Sequence, residues 1–359
     1  MNPLKIVTTV LLFLCFTKAN AQYDLKKTES WLADNTNEMG GRSILMVYQN
    51  GHIIYSHSVN QMNLKQKMAT RLVARRQGKP ADFDAYTPSS RLPIASCSKW
   101  LSAALVMTFV DEGKLKLTDT VGQYLPVLSR HGKGKITIGQ CLSHLTGIKA
   151  PAIRESLEEM KDVKSMDDAI ENIAAMPMEG EPGRVFHYSS VGLQIAGAIL
   201  EKISGKSFET LFAERIAGPL NMKNTDFGKG KVAQPAGGAI STPEDYINFL
   251  VMIMNKGTFN GKRILSESSI TQMQVNRITP DVKIAFSPAE AGNFGYGYGE
   301  WVLSKQVVSS PGLFGSFPWV NNDKKYAAFL MAFYLKNTGR NERYLELNKL
   351  VDDTVAGKH

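Results

Sequence analysis

Leu92-Pro93-Ile94-Ala95-Ser96-Cys97-Ser98-Lys99-Trp100 leads into an apolar run, residues 101–110, that ends at Asp111-Glu112-Gly113. The run reads as a buried helix with Gly113 as its stop. Ser96 and Lys99 then stand at i and i+3, one turn apart on one face. Ser96 also falls at the helix start, where free backbone N–H groups favour developing negative charge. A hydroxyl, an amine and a helix N-terminus in one place are the parts of an activated nucleophile. The same residues suit a Ser that caps a core helix and a Lys that snorkels. Ser96 is the only serine in the chain followed by Lys at i+3, and the remaining sequence decides between the two.

The chain has 359 residues, enough for a sizeable core in one large domain or two. Its 43% hydrophobic and 21% charged content is ordinary for a globular protein. The net charge is +9, but the basic residues are scattered and no nucleic-acid motif accompanies them. The one local concentration, Lys65, Lys67, Arg71, Arg75, Arg76 and Lys79, reads as a solvated loop or helix face.

The first residues have the pattern of an export signal. Lys5 supplies the positive region, residues 6–16 an apolar stretch too short to span a bilayer comfortably, and Ala19-Asn20-Ala21 a cleavage site. Leu14 is too large to precede a lipidated Cys15. Cleavage after Ala21 removes Lys5 and Lys18 and leaves a mature charge of +7. No other stretch is long and apolar enough for a membrane helix, so the mature chain is expected to be periplasmic or secreted without a transmembrane anchor. Cys97 and Cys141 remain after cleavage. Export permits a disulfide between them, while their apolar helical contexts suit two buried thiols. On a helix the Cys97 side chain is turned about 100° from that of Ser96.

Residues 23–39 read as an N-terminal helix anchored by Leu25, Trp31 and Leu32. Residues 43–48 and 53–57 are β-rich runs around Asn50-Gly51, a hairpin. Residues 59–90 form a basic, polar connection. Residues 118–125 read as a turn and a short helix stopped near Pro126, and residues 136–144 as a second buried helix. Residues 151–178 are mixed helical and polar, and residues 179–183 a loop. Two further helices cover 191–203 and 208–216. Ser241-Thr242-Pro243-Glu244-Asp245 caps another that runs to about residue 255. Beyond residue 295 come strands at 301–303, 317–320 and 327–334 and a closing helix over 344–355. This order predicts an α+β fold. The N-terminal hairpin and C-terminal strands share one antiparallel sheet, flanked by helices, and the middle of the chain is a helical insertion. The sheet subdomain would occupy about 22–90 and 256–355, and the helical subdomain about 91–255.

No G-x-S-x-G elbow, metal-spaced His pair or Gly-rich phosphate loop is present. A Ser activated by a Lys therefore remains, and it needs a proton path and an oxyanion hole. Phe186-His187-Tyr188-Ser189-Ser190 supplies a Tyr beside short polar residues, just before an apolar helix. A phenol held close to an ammonium can have a lowered pKa and relay protons. Ser309-Ser310-Pro311-Gly312-Leu313-Phe314-Gly315 precedes a strand. A Gly here allows close backbone approach to a ligand, and the next N–H could face an oxyanion. Each stretch alone would pass for a loop or a turn.

Together these stretches resemble the serine β-lactamase and penicillin-binding-protein superfamily, in the branch of class C β-lactamases, D-aminopeptidases and β-lactamase-like carboxylesterases. Ser96-x-x-Lys99 matches its first motif. Tyr188-Ser189-Ser190 matches the Tyr-x-Asn motif, with Ser190 where Asn usually stands. Leu142-Ser143-His144-Leu145-Thr146-Gly147, Pro182-Gly183, residues 192–203, Pro219-Leu220-Asn221-Met222 and Gly237-Gly238-Ala239-Ile240-Ser241-Thr242 also look like this branch. The third motif departs from the family. Where relatives carry Lys-Thr-Gly, His-Thr-Gly or His-Gly-Gly, this chain has Ser310-Pro311-Gly312, without the cation and with a Pro that lacks a backbone N–H.

The resemblance implies a β-lactamase/transpeptidase-like fold and a serine hydrolase with no metal or organic cofactor. Ser96 would be the nucleophile, with Lys99 as general base working with Tyr188. Tyr188 would return the proton to the leaving group and then activate water. Ser190 would orient Lys99 or the substrate, and the N–H groups of Ser96 and Leu313 would form the oxyanion hole beside Ser310 and Gly312. Loss of the cation weakens the case for β-lactams and peptide C-termini, whose carboxylates want a positive partner. It favours small neutral esters or amides. The competing readings are a β-lactamase or D-amino-acid peptidase, and a binding or sensor protein with little or no turnover. The expected partner is a small ester, amide or β-lactam substrate, not a nucleic acid.

Overall fold

The computed structural model describes residues 23–357, apart from 77, 153–162, 229 and 337. The export segment, and part of the mixed stretch 151–178, lie outside the described residues.

Strands from the two ends of the chain build one antiparallel sheet of seven. In chain order these are β1 (Arg42–Gln49), β2 (His52–Asn60), β3 (Gly295–Tyr296), β4 (Trp301–Val302), β5 (Val307–Ser309), β6 (Phe317–Asn321) and β7 (Tyr326–Ala332). Across the sheet they run β2-β1-β7-β6-β5-β4-β3. Ser43 pairs with Ala332 and Gln49 with Tyr326, so the first and last strands of the chain lie side by side within the sheet. Both faces are covered, which is why β7 is an unbroken apolar run and does not alternate. Ile44, Met46, Phe329 and Met331 face the helical layer. Leu45, Val47, Ala328 and Leu330 face Trp31, Leu32, Tyr344, Leu347 and Val351 of the two terminal helices, α1 (Lys26–Asn35) and α11 (Arg340–Val355).

Between the hairpin and β3 lie α2 (Leu64–Arg76), α3 (Ser98–Asp111), α4 (Pro126–Arg130), α5 (Ile138–Leu142), α6 (Met166–Ala175), α7 (Val191–Ser204), α8 (Phe208–Phe212), α9 (Pro243–Met254) and α10 (Glu267–Met273). Helix α3 is the axis of this layer, with every residue from Ser98 to Phe109 buried. Thr242 caps α9 through the Asp245 N–H, and Gly205 ends α7 in the left-handed region, as their residue types dictate.

Four boundaries differ from expectation. The connection 59–90 contains α2, which buries none of its residues and is half-buried only at Gln66, Thr70 and Ala74, so its basic and polar composition reads as a connection. Pro126 opens α4 at its first position instead of stopping a helix, because that position needs no N–H. The second buried helix is only Ile138–Leu142. It is fixed at its start by a Thr137–Gln140 capping box and closed where His144 turns to φ +58°. The closing helix starts at Arg340, not Tyr344. Cys97 and Cys141 are buried free thiols.

Helix α7 crosses α5 at Gly192, where an added Cβ would overlap the Cys141 carbonyl oxygen. Gly192→Ala is expected to cost about 2–3 kcal/mol in a urea unfolding curve. An unchanged midpoint would show that the helices do not approach this closely.

Candidate active site

Ser96 sits in a 3-10 turn, Ala95–Cys97, that runs straight into α3. Ala95 before it is held at φ +46°, a left-handed conformation that costs a non-glycine residue about 1–2 kcal/mol. Local bonds impose it. The Ser98 hydroxyl donates to the Ala95 carbonyl at 2.5 Å and accepts from the Ala239 N–H at 3.0 Å, while the Ile94 N–H donates to the Ala239 carbonyl at 3.0 Å. Gly312 closes the other side, since any Cβ there would collide with the Ile94 carbonyl.

Lys99 is 4% exposed. Its Nζ donates to Ser96 Oγ at 3.1 Å and to the Ala236 carbonyl at 2.8 Å, and it lies over the Tyr188 ring, 4.8 Å from the centroid. Burial without a carboxylate partner pushes its pKa down to about 7. The amine is therefore substantially neutral at physiological pH and able to accept a proton from Ser96. The Gly237-Gly238 region contributes by geometry. Residues 235–239 lie along the start of α3, and the Pro235 carbonyl accepts from Ser102 just as the Ala236 carbonyl accepts from Lys99.

Tyr188 is buried at the end of a short strand, Val185–His187, stacked on Trp301 at 5.3 Å and beside His144 at 4.6 Å. Its burial raises the phenol pKa, and a hydrogen bond with the Ser96 hydroxyl opposes this only in part. The expectation of a lowered phenol pKa is thus reversed. Desolvation is the larger effect and governs the phenol.

His144, quoted from the sequence without a role, fixes this loop. The Ser189 N–H donates to Nδ1 at 3.4 Å, which leaves the ring proton on Nε2 to donate to the Tyr296 hydroxyl at 3.0 Å. Burial, aided by Lys99, keeps the imidazole pKa well below its usual value.

The remaining expected residues divide. Ser190 is exposed and lines the larger cavity, and the partners of Lys99 are Ser96 and Ala236 rather than Ser190. The Ser310 hydroxyl bonds the Ser96 carbonyl at 3.2 Å and the Gly299 carbonyl at 3.1 Å, tying the Ser96 backbone to the sheet. Leu313 follows Gly312 at the cavity wall. Its carbonyl accepts from Arg340 at 2.9 Å, and among the described residues its N–H enters no backbone hydrogen bond. Arg340, buried at 1% exposure, therefore orients the Leu313 peptide. The sequence reading missed it by starting the closing helix four residues late.

Two cavities meet at these groups, and Ser96, Tyr188 and Leu313 line both. The larger, about 470 Å³, is walled by apolar residues including Ile173, Met176, Phe286 and Phe314. The smaller, about 60 Å³, lies against Trp301, Phe294, Pro311 and Arg340.

A family model described as Beta-lactamase matches residues 38–353. The chain belongs to this family, and its fold and family make it a serine hydrolase. It is similar to a Bacteroides dorei protein proposed to be a beta-lactamase, with TM-score 0.76 and 25% identity, over 93% of this chain and 99% of that one. It shares the fold of a family VIII carboxylesterase, with TM-score 0.69 and 18% identity, over 91% of this chain and 97% of that one. A Mycobacterium tuberculosis relative, Protein Rv1367c, is 26% identical over 66% of this chain and 74% of its own length.

The desolvated Lys99 sets a stability test. Its folded pKa is about 7 against an ordinary 10.5. Below pH 7 the native state carries the full cost of a buried ammonium. Between 7 and 10.5 the unfolded chain holds a proton the native state has shed, so stability rises with pH. Lys99→Met is expected to be more stable than wild type by on the order of 3 kcal/mol at about pH 6. The gap should shrink towards about pH 9 in urea unfolding curves. A gap that stays constant with pH would contradict the low amine pKa.

Proposed function

We propose that this chain is an exported hydrolase that cleaves small neutral esters or amides through an acyl-enzyme on Ser96. The observation that carries the choice of substrate is the state of the basic side chains around the two cavities. Among the described lining residues these are Lys99, His187 and Arg340. Lys99 is desolvated and bonded to Ser96 and Ala236. His187 Nδ1 is paired with Glu179 at 2.6 Å. The Arg340 Nη groups are held by the Leu313, Tyr334 and Lys336 carbonyls, with Glu290 at 3.7 Å, and its Nε is buried away from the cavity. Ser310 stands where relatives carry a cation, and its hydroxyl is committed to two carbonyls. A substrate carboxylate finds no free positive partner, whereas a neutral acyl chain finds apolar walls.

In this mechanism neutral Lys99 takes the Ser96 proton as Oγ attacks the carbonyl carbon. The N–H groups of Ser96 and Leu313 receive the oxyanion. Collapse breaks the bond to the leaving group, which takes the Tyr188 hydroxyl proton, and the Lys99 ammonium restores the phenol. Water then attacks the acyl carbon. Its proton travels by the same groups back to Ser96, releasing the acid. A phenol kept protonated by burial suits the donor role. One of the two cavities at Ser96 holds the acyl group and the other the leaving group, and Ser190 contacts the occupant of the larger. In this reading residues 1–21, with Lys5 and Ala19-Asn20-Ala21, are removed on export, and 22–355 form the hydrolase.

The test pairs wild type with Ser96→Ala on a short-chain p-nitrophenyl ester and a chromogenic cephalosporin, with intact mass read for an acyl adduct. Ester turnover is expected to fall about 10³-fold or more in the variant, with cephalosporin turnover weak in both. Full activity in Ser96→Ala, or a cephalosporin preferred to the ester, would overturn the proposal. Wild-type kcat/KM for the ester is expected to rise with pH through about 7 as Lys99 loses its proton. A profile flat across that range would remove Lys99 as the base.

A further inference from the structure

Helix α2 presents its faces the wrong way round for a globular protein. The half-buried side is Gln66, Thr70 and Ala74, small or polar residues one turn apart. Gln66 fastens it, donating from Nε2 to the Asn37 carbonyl at 2.7 Å while sharing a reciprocal cap with Asn63. The apolar residues point away. Leu64, Met68 and Leu72, at i, i+4 and i+8, are 71%, 59% and 53% exposed. A surface helix ordinarily buries such a stripe.

Cations flank the stripe. On the helical wheel Lys67 and Arg71 lie on one side and Lys65 and Arg76 on the other, with Arg75 near its end. The helix contains no acid. Among the described residues none of these five takes part in a salt bridge, though Arg71 lies over the Phe83 ring at 5.2 Å. The patch extends towards the active site. Gly41 packs on Gln66 and Gly40 on the Phe333 carbonyl. Phe333 is partly exposed, and its ring contacts Phe314 at 5.1 Å, a wall of the larger cavity.

We propose that α2 is a peripheral anchor on a bilayer rich in anionic phospholipid. Leu64, Met68 and Leu72 enter the boundary between headgroups and acyl chains, and the flanking Lys and Arg side chains reach back to the phosphates. A second copy of the chain is a poor occupant, because packing this face on itself opposes like charges. A purely electrostatic partner would leave the apolar stripe in water. No helix among the described residues is long and apolar enough to cross a membrane, so the contact is one of lying on the surface.

The test is sedimentation of the mature chain with vesicles of phosphatidylcholine mixed with phosphatidylglycerol, and of phosphatidylcholine alone. Binding is expected to the mixed vesicles only, and to weaken as salt rises. Two variants are compared, L64S/M68S/L72S and R71Q/R75Q/R76Q. Each is expected to lower the partition about tenfold or more, with thermal unfolding and turnover of a soluble ester unchanged. Independently, Met68→Trp should gain blue-shifted emission on the mixed vesicles and none on the neutral ones. No binding, equal binding to both vesicles, or loss with the charge set but not the apolar set would overturn the anchor. So would a solution dimer that the α2 substitutions dissociate, which would assign the face to a second copy.

Discussion

The structure depends on taking one amine out of water. Lys99 has no carboxylate to compensate it, only a hydroxyl, a carbonyl and the face of an aromatic ring. Burying a charge on those terms is costly, so the group responds by giving up its proton near neutrality. The neutral amine is a base that water would never leave neutral. Keeping water out is the task of α3, which is buried along most of its length, and of residues 235–239 laid along its start. The second polar partner is a backbone carbonyl, a neutral acceptor that holds the amine without restoring its charge.

The same requirement places the site at the seam between the layers. Ser96, in the turn that leads into α3, faces a sheet edge, and from that edge come Trp301, Tyr296 and the segment from Ser310 to Leu313. Trp301 and Tyr296 pack with Phe186, Tyr188 and Leu145 into an aromatic cluster that belongs to neither main core. This cluster fixes Tyr188 from behind, while His144 fixes the adjoining Ser189 N–H. On the far side, Ser310 bonds the Ser96 carbonyl and Arg340 holds the Leu313 carbonyl. The two candidate oxyanion donors are thus set by a helix start and a strand approach that are distant in sequence.

What could be read from the sequence follows from what leaves a local trace. The hairpin around Asn50-Gly51, the sharing of one sheet by both chain ends, and the start of α9 at Thr242-Pro243 were legible because turns, caps and apolar runs act over a few residues. The Ser96–Lys99 spacing was legible because the turn holding Ser96 runs directly into the helix holding Lys99. The contribution of the Ala236 carbonyl was not, because a backbone acceptor has no residue signature. Burial across space was also illegible, so the phenol of Tyr188 was read from its presumed ammonium neighbour, whereas desolvation governs it. Arg340 escaped because its partners are carbonyls from three separate residues. Helix α2 escaped because the face it buries is polar.

The missing cation of the third motif and the low pKa of Lys99 belong to one electrostatic argument. An anionic group bound beside Lys99 would favour its ammonium form and so remove the base at neutral pH. A second cation at the third motif would cancel that field and preserve the base, and it would also bind the anion. This chain has Ser310 there, already bonded to two carbonyls, and its other basic lining side chains, His187 and Arg340, are held by protein partners. The neutral substrate proposed above avoids the conflict, because it leaves the environment of Lys99 as empty of charge as the fold makes it. Substituting Ser for the cation is then consistent with the rest of the site: a base created by desolvation keeps its basicity only while what binds next to it is uncharged.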